Sequence, residues 1–169
     1  TPDPNTGIGR WSDRDFLRAM HEGIAPDGSH YFPVFPYTSF SKMTEEDVLH
    51  LKDHLFTLPP VSQPNRPHDV WFPLNLRLNA WGWKLVNFRP EPLLPEATRS
   101  EKWNRGRYLA EAVAHCGECH TPRNWMGALQ PDWHYAGSRE GPEGEVAPNI
   151  TPEVETGIGQ WSKDDLTYL

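Results

Sequence analysis

A chain of 169 residues with 37% hydrophobic residues, 18 prolines and 13 glycines has room for one domain with a real core, joined to long irregular stretches. Its formal charge of −7 argues against a nucleic-acid binder and fits a soluble acidic surface that meets a basic partner. No run of about 18 apolar residues is present, so no segment reads as a membrane-spanning helix.

The first residues, TPDPNTGIGR, read as a loop without signal-peptide features, and the chain is expected to begin inside a domain. Ser12 is placed as an N-cap, with Asp15 three residues on, ahead of a short helix over DRDFLRAMHE that stops at Gly23. A proline-broken loop follows. Thr44 then caps EEDVLHLKDHLFTL, whose Val48, Leu51, Leu55 and Leu58 fall at helical spacing, and Pro59-Pro60 ends it. Residues 61–100, rich in proline and tryptophan, read as a connection. Within them, 71–88 mixes aromatics with Arg77 and Lys84 and is expected to pack between domains, with a partner subunit or a membrane surface as the other reading. Ser100 opens a last long helix, EKWNRGRYLAEAVAH, which runs straight into a cysteine pair. The fold class expected is all-α, with long irregular loops.

One phrase occurs twice. Thr6-Gly7-Ile8-Gly9-x-Trp11-Ser12 recurs 150 positions later as Thr156-Gly157-Ile158-Gly159-x-Trp161-Ser162. Capping accounts for Ser12 and Ser162, with Asp15 and Asp165 following, but not for Thr-Gly-Ile-Gly or the tryptophan. The repeat therefore points to tandem homologous units. Residues 1–60 then form the C-terminal half of one unit, 61–100 the connection, and 101–169 the N-terminal half of the next.

Cys116 and Cys119 are the only cysteines, and His120 follows directly in HCGECHTPRN. A structural zinc site needs a second pair of ligands, which the sequence lacks. A thiol-disulfide oxidoreductase places its pair after a strand, whereas this one follows a helix. C-x-x-C-H instead matches covalent attachment of haem c: both thiols add to haem vinyl groups, and the adjacent histidine is the proximal iron ligand. That consumes both cysteines. Arg123 either pairs with a haem propionate or is a solvated surface arginine, and Pro122 is placed to shape a loop whose backbone carbonyl meets the second nitrogen of His120.

KWNRGRYLAEAVAHCGECHTPRN, APNITPEVETGIGQWSKDDL and YFPVFPYTSFSKMTEEDVLHLKDHLFTLPPV resemble the multihaem cytochrome c subunits of bacterial alcohol, aldehyde, gluconate and related dehydrogenases. The resemblance covers nearly the whole chain. It implies cytochrome c-like helical domains and an electron-transfer protein rather than an enzyme. Such a protein takes electrons from a dehydrogenase subunit and passes them to a downstream acceptor at the periplasmic side of the membrane. Association with the membrane surface is a further expectation. It also implies that Gly106 and Tyr108 lie at a helix crossing, and that Trp11 and Trp161 donate their indole N–H groups to haem propionates. For the sixth iron ligand, of the haem at His120 or of another haem, Met43 matches the family's position; Met20 lies in a helix as core, and Met126 is too near His120. Because the parts occur in permuted order, the two halves are expected to be able to pair within one chain, or between two chains as a dimer by exchange of half-domains.

Overall fold

The computed structural model of the protein describes residues 1–139 and 146–167; among these it is helical, with isolated bridges and no named strand. The chain divides into two units, Thr1–Val113 and Ala114–Leu169.

In the first unit the caps work as the sequence dictates. α1 (Asp13–Glu22) begins at a reciprocal capping box between Ser12 and Asp15, and ends at Gly23 in a left-handed conformation with φ 62°. Gly23 is required twice over. A Cβ there would also meet the Tyr37 ring at 2.4 Å, and Tyr37 is fully buried. The loop after α1 is less irregular than its prolines suggest, since it contains a short helix, α2 (Tyr37–Phe40). α3 (Glu45–Phe56) is capped by the Thr44 hydroxyl and stops before the prolines.

The buried face of α3 differs from the expected one. Val48 is fully buried and Leu55 partly so, but Leu51 and Leu58 are exposed. Lys52 takes the intervening place, its side chain 10% exposed and its ammonium 2.5 Å from the Asp13 carboxylate on α1. A lysine stem can line an apolar face when its charge finds a partner at the rim, and hydrophobic periodicity does not register such a residue.

The connection is not wholly irregular. α4 (Arg77–Asn87) lies within it, and Lys84 on its buried face donates to the carbonyls of Glu22 and Gly23 at the end of α1, the latter at 3.2 Å. α4 therefore supplies the cation that the C-terminus of α1 favours. Lys84 also lies 3.0 Å from His30 Nδ1 and over the Tyr37 ring.

α5 (Glu101–Tyr108) continues as a π-helical turn, Leu109–Val113. The Tyr108 hydroxyl donates to the Asp47 carboxylate and accepts from the Thr44 N–H at 3.2 Å, locking α5 to the start of α3. Gly106 is not the close-approach residue: a Cβ there would meet nothing within 4 Å. Ala112 is, being fully buried in a core with Phe16, Met20, Met43 and Val48. Residues 101–113, grouped by sequence with the downstream half, thus pack in space with residues 1–60.

Candidate functional site

In the second unit the backbone leaves the π-helical turn at His115, whose φ is 43°, and winds into a single helical turn, α6 (Gly117–His120). The N–H groups of Cys119 and His120 both donate to the Cys116 carbonyl, at 3.3 and 3.0 Å. One turn of chain therefore presents both thiols and the imidazole. The two cysteines are half-buried and not joined as a disulfide. Gly117 is buried: a Cβ would lie 3.3 Å from His134 and 3.7 Å from the Tyr135 ring. Thr121, 1% exposed, accepts the Tyr135 N–H on its hydroxyl at 3.1 Å and ties the turn to the next loop.

His120 Nδ1 lies 2.8 Å from the Pro148 carbonyl oxygen. A carbonyl only accepts, so Nδ1 carries the proton and Nε2 keeps its lone pair for a metal. The expected carbonyl partner is present, but it arrives from 28 residues downstream rather than from the loop around Pro122; the Pro122 carbonyl accepts from Gln130 N–H at 3.0 Å. Gly137 makes the arrangement possible. Its φ is 89°, its N–H donates to the His120 carbonyl at 2.7 Å, and a Cβ would meet Ala147 O and Asn149 N at 2.9 Å. Only a residue without a side chain lets the 147–149 segment pass close enough to reach the imidazole. A cleft of about 660 Å³ opens beside it, lined in part by Pro122, Trp133, Gly137 and Pro148.

Arg123 is committed locally. Its Nη2 lies 2.6 Å from the Glu118 carboxylate and its Nη1 donates to the Gly127 carbonyl at 2.8 Å, bracing the attachment turn against the Asn124–Gly127 turn. Met43 lies in the first unit's core, 7% exposed. Trp11 packs at the edge of that core, 6.4 Å from Phe16 between ring centroids. Trp161, at the equivalent place in the second unit, is 43% exposed.

The repeated phrase builds the same loop twice. The carboxylate of Asp3 accepts the Thr6 N–H and hydroxyl at 2.6 and 2.8 Å, and that of Glu153 accepts the Thr156 N–H and hydroxyl at 2.5 and 2.8 Å. These donors, the Thr6 N–H foremost, hold Asp3 below its ordinary pKa; the N–H groups of Glu155 and Thr156 pull Glu153 down to about 2. Ile8 N–H reaches the Thr1 carbonyl at 3.0 Å, and Ile158 N–H the Thr151 carbonyl at 2.9 Å. Cβ atoms at Gly7 and Gly157 would meet those same carbonyls at 2.2 and 2.3 Å. The glycines that capping left unexplained are thus demanded by a chain folded back on itself.

Among the described residues no cluster of three or more His, Cys, Asp or Glu side chains gathers as a metal site. The two thiols and the free Nε2 instead fit a covalently attached haem.

No family model matches the chain. Relatives do. A "Diheme cytochrome c-type" protein of Cereibacter sphaeroides is 45% identical over 171 residues, covering all of this chain and 56% of the relative. A "Fructose dehydrogenase cytochrome subunit" of Gluconobacter japonicus is 38% identical over 98% of the chain and 34% of its own length. An "Alcohol dehydrogenase (quinone), cytochrome c subunit" of Gluconacetobacter polyoxogenes is 37% identical over the whole chain and 38% of its own length. The chain thus spans between about a third and about half of these relatives. Homologous to them over at least 98% of its length, the chain belongs to the c-type cytochromes, among which these relatives include subunits of bacterial dehydrogenases.

Proposed function

We propose that the protein is an electron-transfer cytochrome carrying one haem c, bound through Cys116 and Cys119 with His120 as the proximal iron ligand. The observation that carries the reading is the His120–Pro148 contact of 2.8 Å. It fixes the tautomer in which Nε2 is unprotonated, holds the ring against rotation, and strengthens the imidazole as a donor. The haem, when bound, supplies a one-electron iron couple. The chain's own residues attach, orient and shield it. Cys116 and Cys119 anchor it, Gly137 and Thr121 set the loop that carries Pro148, and Arg123 stiffens the turn through Glu118. Trp161 would donate its indole N–H to a carboxylate of the group, and Trp11 would do so for the equivalent group of the preceding unit. Met43, in the same half as Trp11, would supply a thioether as sixth ligand, to this iron or to that of the preceding unit.

The repeat supports parts of two tandem units, 1–60 and 101–169, joined by 61–100. Relatives named as subunits of fructose and quinone-dependent alcohol dehydrogenases support a dehydrogenase as the electron donor. The formal charge of −7 fits a donor or acceptor with a basic docking surface. Covalent attachment of haem c takes place outside the cytoplasm, so the chain is assigned to the periplasm. Zinc binding and thiol-disulfide exchange through Cys116 and Cys119 are not favoured. A visible spectrum of the purified chain tests the reading: chemical reduction should sharpen a single α-band, whereas a colourless preparation would end it.

A further inference from the structure

The attachment turn carries a charge of its own. Glu118 stands between Cys116 and Cys119, and its side chain is only 8% exposed. A carboxylate held so far out of water needs a partner. Arg123 provides it. Its Nη2 donates to the Glu118 carboxylate at 2.6 Å and to the Glu118 carbonyl at 3.2 Å, and its Nη1 to the Gly127 carbonyl at 2.8 Å. The backbone beneath is pinned as well. The Arg123 carbonyl accepts from the Gln130 side chain at 3.1 Å, and residue 123 bridges to Leu129. The Asn124 side chain closes the turn, accepting from the N–H groups of Met126 and Ala128 at 2.9 and 3.1 Å. A guanidinium held at both terminal nitrogens is a fixed charge, not a solvated one.

We propose that Glu118 and Arg123 form a charge pair that tunes the reduction potential of the haem, with Arg123 as the residue that positions and neutralises the carboxylate. The inference rests on haem attachment at Cys116 and Cys119 and deepens that reading. Chain connectivity supplies the proximity. Glu118 is the direct neighbour of Cys119 and lies two positions from Cys116, so thioethers at both keep the group within a few bonds of it. Apart from His120, it is the only acid or base among residues 116–122. A negative charge near the iron favours the oxidised state, which carries one more positive charge, and so lowers the potential; a positive charge raises it. Burial shields the Glu118 charge from screening by water and salt. Unpaired, that carboxylate would pull the couple down. Arg123 offsets it from a place fixed by the Glu118 and Gly127 carbonyls.

The test is potentiometric titration of the haem-loaded full chain at one fixed pH and ionic strength, beside thermal melting of each variant. Arg123→Gln should lower the midpoint potential, and Glu118→Gln should raise it. The double variant should fall between the two. Arg123→Lys keeps the charge but loses the forked bonds, so its potential should lie nearer the parent's than that of Arg123→Gln. Should Arg123→Gln fail to fold, Glu118→Gln still tests the sign. Melting separates the pair from an arginine bound to a propionate. The losses of the two single variants should together exceed that of the double, because each single change leaves a charge unpaired. A purely structural role would lower the melting temperature without moving the potential in opposite directions. The proposal is overturned if both single variants shift the potential the same way, if Glu118→Gln leaves it unmoved, or if the melting losses simply add. A parent chain that carries no haem overturns the attachment reading, and this inference with it; the other failures leave attachment standing.

Discussion

His120 and Pro148 are joined by a bond from Nδ1 to a backbone carbonyl, 2.8 Å long, across 28 residues of sequence. The bond stands on Gly137, whose φ of 89° and missing Cβ admit the 147–149 segment. Gly137→Ala adds a methyl group 2.9 Å from two backbone atoms and should cost roughly 1–3 kcal/mol of stability. It should also raise the midpoint potential, because an imidazole that loses its acceptor donates less to the oxidised iron. Potentiometric titration beside thermal melting checks both, and a destabilised variant with an unchanged potential would deny the bond its tuning role.

Met43 sits in a core with Phe16, Met20, Val48 and Ala112, so truncation alone cannot reveal ligation. Met43→Ala should cost about 2–5 kcal/mol through its cavity whatever the residue does. Met43→Leu nearly conserves volume and should cost less than about 1.5 kcal/mol. If Met43 is the sixth ligand, the leucine variant nonetheless loses the sulfur-to-iron band at the red end of the oxidised spectrum. A band that survives in the leucine variant removes Met43 from the iron.

Gly7 and Gly157 occupy the same place in two copies of one loop. Gly7→Ala drives a Cβ to 2.2 Å from the Thr1 carbonyl, in a loop whose Ile8 and Trp11 pack on the first unit's core. Gly157→Ala makes the same collision with Thr151, ahead of a Trp161 that is 43% exposed. Both should destabilise by at least about 1 kcal/mol, with the larger loss at Gly7, as thermal melts of the two variants would show. Equal losses would mean that the collision alone, and not the attached core, sets the cost.

What sequence made legible follows the range of the forces involved. Ser12, Thr44 and Ser100 were readable as caps because a cap is a bond between residues three apart. The attachment motif was readable because one turn of chain holds all its parts. Pro148 was not, since its carbonyl reaches His120 only through the path of a loop, and a backbone acceptor has no residue-type signature. The buried face of α3 was misjudged at Lys52, where a charge 2.5 Å from Asp13 replaces an apolar residue. α4 was hidden by the prolines around it, and its exposed Leu78–Trp81–Leu85 stripe by the usual assumption that such a stripe is buried.

Burial holds His21 and His30 below their ordinary value of 6.5, with the Lys84 charge adding to the effect at His30 while Glu45 and the Met43 backbone oppose it at His21. Each is therefore easier to protonate in the unfolded chain. Their contribution to stability is complete above about pH 6.5 and is lost as pH falls through the lower folded values. Burial likewise brings Lys84 down to about 8, opposed by Glu22 and reinforced by Arg18, so this group adds stability as pH rises from about 8 towards 10.5. The melting temperature should fall between about pH 7 and about pH 5, less steeply in His30→Gln. Lys84→Met should remove the alkaline gain; an unchanged profile in both variants would contradict the assignment.

The central claim is that Cys116 and Cys119 are both consumed in attaching one haem above His120. Mass spectrometry of the denatured protein, produced where haem attachment is available, tests it most directly. The account predicts the chain mass plus one haem, retained through denaturation and reduction, with neither cysteine open to alkylation. The bare chain mass with two alkylatable thiols, or haem that dissociates on denaturation, would contradict it.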